Sequence, residues 1–425
     1  MKSCGIKAAL WGYNLAWSVA IPFLKFNKRI KQGFEFRTLN SGFEAADIWI
    51  QAASAGEAYL AWTLLRNFHP SHHVRVLITT NTSQGMEILE KALDYLSTSD
   101  NKLSLNASYA PFDKPEIMRK AVKKIRPKIM VLLETEIWPG NLAALKEAGC
   151  RIFIINGRIT EKSMKGYMIW PSLWRTLRPD KILAISKEDA KRFALLFDTK
   201  EVKVMHNLKF NRIGAPEPDL YGKNILENII NPDASFVVFG SVRQEEEPMI
   251  EKIIVELLFR EPEAVIGLFP RHMHRIKYWE KALSRLNIPW VLRSEVDDVV
   301  QNGKIILWDR FGELALSYEL CKAAFVGGSL APLGGQNFLE ALTSGVLPVI
   351  GPFWENFAWV GKEIISHGLI KVAGDYSQVA DLLIKNLSSK ISHEDVRRSI
   401  LEYVQNRQSG ADAACAMLEK TLQPI

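Results

Sequence analysis

Cysteine is scarce in this chain. Its 425 residues include four, Cys4, Cys150, Cys321 and Cys415, and no pair has CxxC spacing. A disulfide framework and a zinc ribbon are thereby excluded, and a reducing compartment is implied. Low-complexity tracts and short-period repeats are also missing, which excludes solenoids and repeat arrays. With 48% hydrophobic and 24% charged residues, the composition is that of an ordinary globular protein long enough for two or three cored domains.

Net charge is nearly absent from most of the chain. The formal total is +7, but residues 1–39 hold seven basic side chains (Lys2, Lys7, Lys25, Lys28, Arg29, Lys31, Arg37) against Glu35. The other 386 residues hold 47 basic and 46 acidic side chains. So balanced a body implies no duplex-binding surface, and no nucleic-acid partner is expected.

The basic N-terminus encloses an uncharged run of 17 residues, Ala8 to Leu24, with Trp11, Tyr13 and Trp17 in it. The run reads as a membrane anchor, either spanning or lying in the interface. A cleaved signal peptide, cut near Ser18-Val19-Ala20, is a second reading, opposed by the lysines just downstream. A plain amphipathic or buried helix is a third. As an anchor, it would leave the following body on the cytoplasmic side.

From Asp47 on, apolar runs of strand length alternate with helical patterns. The strand candidates are 47–53, 74–80, 103–110, 128–135, 151–158, 181–186 and 202–206. Residues 211–234 are rich in proline and glycine and read as a linker. A second series follows at 235–241, 264–270, 289–294, 304–309, 323–329, 347–352 and 369–374, and the last 30 or so residues read as helix. Two doubly wound α/β domains are expected, with ligands at the carboxyl ends of the strands in the cleft between them.

Residues just past those strands therefore carry the chemistry. Ser54-Ala55-Gly56-Glu57 leaves the first strand for a helix, and Glu57 suits either a general base or a first-turn helix acid. Glu134 and Glu136 follow the fourth strand, suited to acceptor binding, loop ordering or helix capping. Arg158 ends the fifth, free to hold an acidic group or to pair with one of those glutamates. In the second half, Glu245–Glu247 reads as a solvated helix start. His272 and His274 sit two apart, a poor spacing for metal on a helix, and no metal site is expected; Arg271 is better placed for phosphate. The stretch from Gly327 to Ala341 reads as strand end, glycine-rich loop and helix start, with exposed amides for phosphate. It contains neither GxGxxG nor GxxxxGK[ST].

Seven segments carry a family likeness: SAGE (54–57), APFD (110–113), ETEIWP (134–139), NGR (156–158), NLKF (207–210), PRH (270–272) and GGS…GGQNFLEAL (327–342). In this order they resemble the Kdo transferases, which move 3-deoxy-D-manno-octulosonic acid (Kdo) from CMP-Kdo to a lipid A precursor. The resemblance implies a GT-B fold of two Rossmann-like domains behind an N-terminal anchor helix. Its segments would be 1–39 (anchor and basic flank), 40–210 (acceptor domain), 211–234 (linker) and 235–425 (donor domain with a closing helix). It implies Glu57 as general base in an inverting single displacement, without metal or cofactor. Arg271, Ser329, Gly335, Gln336, Asn337, Glu340 and Lys209 would hold the donor. Ser54, Gly56, Glu134, Glu136 and Arg158 would serve the acceptor or order its loops. The implied partners are CMP-Kdo, a phosphorylated lipid A precursor and inner-membrane lipids. The chain departs from the family pattern at Gln51 and Gln336, where histidine is usual. It also departs at Val242-Arg243-Gln244-Glu245 and around His206-Asn207. Two alternatives stand beside this reading: a GT-B transferase or nucleotide-sugar epimerase with another donor, and a catalytically silent membrane scaffold.

Overall fold

The computed structural model describes residues 2–97, 102–213 and 224–423. The middle of the expected linker, 214–223, lies outside them, as do the side chains of Lys2, Ser3, Cys4, Lys28 and Arg29. The chain divides into two units, one running to Arg212 and resuming at Arg407, the other spanning Ile213–Asn406.

The first unit is built on a seven-stranded sheet in the order β3-β2-β1-β4-β5-β6-β7. Its strands are β1 (Ile48–Gln51), β2 (Val74–Thr80), β3 (Leu103–Tyr109), β4 (Ile129–Leu133), β5 (Arg151–Gly157), β6 (Lys181–Ala184) and β7 (Val202–Val204). Every pairing in it is parallel. Central strands are apolar throughout because helices cover both faces, and alternate residues feed two separate cores. Trp49, Met130 and Leu132 point into one core, Ile48, Ile50 and Val131 into the other. The second unit repeats the plan in the order β10-β11-β9-β8-β12-β13-β14. Its strands are β8 (Phe236–Val242), β9 (Val265–Pro270), β10 (Trp290–Leu292), β11 (Ile305–Leu307), β12 (Ala323–Val326), β13 (Pro348–Ile350) and β14 (Lys371–Val372). Each apolar run named from the sequence contains a strand.

Two boundaries differ from the sequence reading. Residues 224–234, expected as linker, are built into the second unit. There Asn224 donates to the Leu316 carbonyl (2.9 Å), and Leu226, Ile229 and Ile230 are buried. The final helix, Ser409–Leu422, was expected to close the donor domain but packs on the first unit. It buries Ala411, Ala414, Leu418 and Leu422 in the core under the helix Ala55–Arg66. Its apolar stripe has no preference for either domain in sequence terms; the seat left open in the first core decides. Gly410 permits the close approach, since a Cβ there would meet the His206 carbonyl oxygen at 2.0 Å. Leu418→Ala should cost about 3 kcal/mol. Hydrogen exchange should speed up in residues 55–66 and 202–212 and stay unchanged in 235–406; the opposite pattern would return this helix to the second unit.

The N-terminal run forms a helix, Lys2–Leu24, that lies along the first unit. Ile6 enters a core, Tyr13 donates to Asp113 (3.0 Å), and Trp17 packs on Phe112 with ring centroids 5.5 Å apart. Trp11, Leu15, Val19 and Phe23, spaced by four, are all more than half exposed. No helix among the described residues is long and apolar enough to cross a membrane.

Candidate active site

In each sheet the first strand pairs on its far side with a later one and strand order turns back, between β1 and β4 in the first unit and between β8 and β12 in the second, where β10 and β11 are also exchanged at the edge. Loops leaving the carboxyl ends of those strands diverge and open a crevice where ligands bind in doubly wound folds. Glu134 and Glu136 lie on the loop after β4, and Glu57 in the first helical turn after β1, so all three flank the first reversal.

Glu57 stands in the first turn of the helix Ala55–Arg66, whose N-cap is Ser54. The Ser54 hydroxyl accepts from the Glu57 amide (3.4 Å), and the Glu57 carboxylate accepts from the Ala53 amide (2.5 Å). The residue is 8% exposed. Burial pushes its pKa up to about 8, helped by the charges of Glu136 and then Glu134 and opposed by the Ala53 and Ser54 bonds. Such a carboxyl changes protonation near neutral pH and is suited to taking a proton from a hydroxyl. At Gly56, an added Cβ would meet nothing closer than the Ser54 hydroxyl at 3.8 Å, so the space in front of the turn stays open.

The other two glutamates are held differently. Glu134 adopts a left-handed backbone, φ 53°, unusual for a side chain of this kind. Its carboxylate pairs with Lys209 at 3.4 Å. Glu136 accepts from the Trp138 indole (2.9 Å), and burial raises its pKa, as does Glu134. Lys209, matched by resemblance to donor binding, thus belongs to the first unit, on the turn Leu208–Arg212. That turn is anchored by Asn156, whose side-chain oxygen accepts from the Leu208 amide (2.8 Å). Arg158 follows β5 with its carbonyl bonded by the Thr135 hydroxyl, and its guanidinium has no partner among the described residues. It pairs with neither glutamate.

Asp113 was quoted in the APFD motif without a role. It is buried and accepts from the Gly140 (2.9 Å) and Asn141 (2.6 Å) amides, capping the helix Pro139–Glu147 from a distant loop. The local signal was a negative one: Trp138 precedes that helix and supplies no side-chain cap, so its first amides needed an acceptor from elsewhere.

In the second unit, the acidic run does open a helix, but only Glu245 is solvated. Glu246 is fully buried, and its carboxylate accepts from the amides of Arg243 (2.9 Å), Gly328 (2.7 Å) and Leu330 (3.4 Å). Glu247 is also buried and pairs with Arg275 (2.9 Å). The glycine loop after β12 is therefore not a set of open amides, as its sequence suggested. The Gly335 amide donates to Gly328 and the Gln336 amide to Gly327. The helix that follows, Leu339–Thr343, is only five residues long. Ser329 is 1% exposed, its hydroxyl donating to Val326 (2.6 Å) and accepting from Gly351 (2.8 Å), so it ties β12 to β13. Gly334 and Gly335 both have positive φ, near 80°, and let the loop pass against Trp354 and Asn356.

What faces outward there is polar. The exposed Asn337 amide donates to Glu340 (2.7 Å), and Gln336 is half-buried beside Gly328. Arg271 leaves β9 with its amide bonded to Val242 (2.8 Å) and its side chain exposed. His272 is held below its ordinary pKa, by partial burial first and then by the charges of Arg243, His274 and Arg271. Arg243, Arg271, His272 and His274 thus gather past the ends of β8 and β9, with Glu245 paired to Arg243, a largely basic cluster that favours an anion.

Residues 26–212 match the model of the 3-deoxy-D-manno-octulosonic-acid transferase (kdotransferase) family. A 3-deoxy-D-manno-octulosonic acid transferase of Rickettsia felis is 26% identical over 394 residues, 90% of this chain and 81% of that protein. Over most of its length the chain is thus similar to Kdo transferases. A bifunctional glycosyltransferase/methyltransferase of Fusobacterium nucleatum is 31% identical over 369 residues, 83% of this chain; the chain spans 55% of that longer protein. Among solved structures, the UDP-GlcNAc 2-epimerase of Neisseria meningitidis aligns with 88% of this chain and 99% of itself. Its TM-score is 0.56 at 12% identity, a likeness of fold alone, and the fold is the GT-B type of two parallel-sheet units.

Proposed function

We propose that this chain transfers Kdo from CMP-Kdo to a phosphorylated lipid A precursor, in lipopolysaccharide synthesis. The observation that carries the proposal is Glu57. It is a buried carboxyl with a pKa near 8, beside two further acids at the strand-order reversal of a chain similar to Kdo transferases. In the proposed reaction, Glu57 takes the proton of the acceptor hydroxyl as that oxygen attacks the anomeric carbon of Kdo. The bond from that carbon to the CMP phosphate oxygen breaks, and CMP leaves with the electron pair. One displacement inverts the anomeric centre and requires no covalent enzyme intermediate and no bound metal. Arg271, Gln336, Asn337 and Glu340 are assigned to the donor, with Gly335 shaping their loop. Ser329 supports that loop from beneath. Ser54, Gly56, Glu134 and Glu136 order the acceptor side with Arg158, and Lys209 neutralises Glu134 there.

The proposed location is the cytoplasmic face of the inner membrane. The stripe Trp11, Leu15, Val19 and Phe23 supports a helix lying in the interface, its other face docked on the first unit. Purified protein given CMP-Kdo and a tetraacylated precursor should yield product heavier by whole Kdo residues, with CMP released in equal number. Turnover with a UDP-sugar and none with CMP-Kdo would reject the donor assignment. Leu15→Glu with Val19→Glu should leave folding intact and abolish co-sedimentation with anionic vesicles; wild-type sedimentation would reject the interfacial helix.

A further inference from the structure

The first unit holds a cavity of about 210 Å³ at the carboxyl ends of β1–β4, lined by Arg37, Gln51, Asp113 and Trp17 among others. Arg37 is 4% exposed. Its guanidinium donates to the carbonyls of Asn81 (2.8 Å) and Gln32 (3.4 Å) and lies over the Tyr109 ring, 4.9 Å from the centroid. No carboxylate stands within 4 Å of it among the described residues. A buried cation is costly unless an anion meets it, and this one faces a cavity instead.

The neighbouring groups are donors as well. The Trp49 indole can only donate, and it gives its proton to the Thr79 hydroxyl oxygen (2.8 Å). The Thr79 proton then goes to the Gln51 side-chain oxygen (2.6 Å). That chain of bonds orients the Gln51 amide, leaving its nitrogen without a partner among the described residues. Asp113 is the one carboxylate in the wall, and it is turned to the Gly140 and Asn141 amides and the Tyr13 hydroxyl. Gly33 fixes the segment carrying Arg37: it has φ 69°, and a Cβ there would overlap the Tyr109 ring. The cavity is smaller than the roughly 300–1,000 Å³ of a drug-sized ligand site, which suits a single charged substituent. Trp17 and Phe112 give it an aromatic wall on the side of the N-terminal helix.

We propose that this cavity receives a phosphate group of the lipid acceptor, with Arg37 and Gln51 as its donors and Arg37 as a positioning residue for that substrate. The proposal rests on the transferase reading above. A phosphate on a bilayer lipid has the same chemistry, and the test separates the two sources.

The full-length protein is assayed as wild type, Arg37→Gln, Arg37→Lys and Ile30→Trp, the last narrowing the cavity without touching the charge. Acceptor KM is measured with the phosphorylated precursor and with the same precursor after phosphatase treatment. Arg37→Gln should raise KM for the phosphorylated acceptor about tenfold or more, leave kcat and donor KM within about twofold, and add nothing for the dephosphorylated one. Arg37→Lys should recover part of the loss, and Ile30→Trp should reproduce it at an unchanged melting temperature. Equal losses for both acceptors, or no loss, would overturn the proposal. So would weaker binding to phosphatidylglycerol vesicles with acceptor KM unchanged, which would assign the cavity to bilayer lipid. Calorimetry with dodecyl phosphate reads the cavity even if no Kdo is transferred. Binding by wild type and none by Arg37→Gln supports the site, and equal binding rejects it.

Discussion

Glu57→Gln is expected to reduce Kdo transfer about 10³-fold, the scale of a lost general base, and at the same time to raise the thermal stability of the enzyme at alkaline pH. Both effects follow from one burial. In the folded chain the carboxyl titrates near 8, against an ordinary value of 4.5. As pH rises above 4.5 the unfolded chain gives up this proton while the folded chain keeps it, so stability falls between 4.5 and about 8. The full loss, on the order of 5 kcal/mol, is present above pH 8. Glutamine carries no charge and escapes it. Melting curves of the two proteins should therefore converge near pH 4.5 and separate towards pH 9, with the variant higher. The wild-type kcat/KM should climb about tenfold per pH unit below 8 and level off above. Glu136→Gln removes the larger of the two charges that push Glu57 upward, so its profile should level off at lower pH. Full turnover by Glu57→Gln would remove it from the reaction. Parallel melting curves at every pH would show that its ionisation carries no cost.

Glu246→Ala should have the largest effect on the second unit. The carboxylate is the acceptor for amides from both loops at the strand-order reversal, those after β8 and after β12. Removing it leaves those amides buried without partners and opens a cavity against Gly327. The cost is about 3 kcal/mol, which lowers the melting transition of a unit this size by about 10 °C. Affinity for CMP, read by calorimetry, should fall with it, because Gly335, Gln336 and Asn337 sit on the loop that loses its support. A melting point within about 2 °C of wild type would show that water or loop movement replaces the carboxylate.

Much of the fold was legible in the sequence because parallel strands covered on both faces must be apolar along their length. IMVLL and AAFV could be read as strands without any partner in view, and their spacing by helical patterns implied the doubly wound plan. Ser54 and Glu57 were legible for a related reason: an N-cap and a first-turn acid are local features, set within four residues. Roles that depend on a distant partner were not legible. Glu246 looked solvated among its acidic neighbours, and only the return of β12 beside β8 supplies the amides that hold it. Asp113 and the helix it caps are separated by 25 residues of chain, in which Trp138 shows only that a cap is missing and nothing shows which residue supplies it. The final helix could serve either unit until one core proved to be missing Leu418.

The sequence by itself determined the order of elements, the identity of the residues at the strand ends and the concentration of positive charge before residue 40. Only the tertiary structure decided which of those residues are buried, which face one another and which face a cavity. A carboxylate and a guanidinium have fixed intrinsic chemistry. Glu57 becomes a candidate base, Glu246 a brace and Arg37 a cation without an anion among the described residues, through the water that folding removes from around each and the partners it brings or withholds.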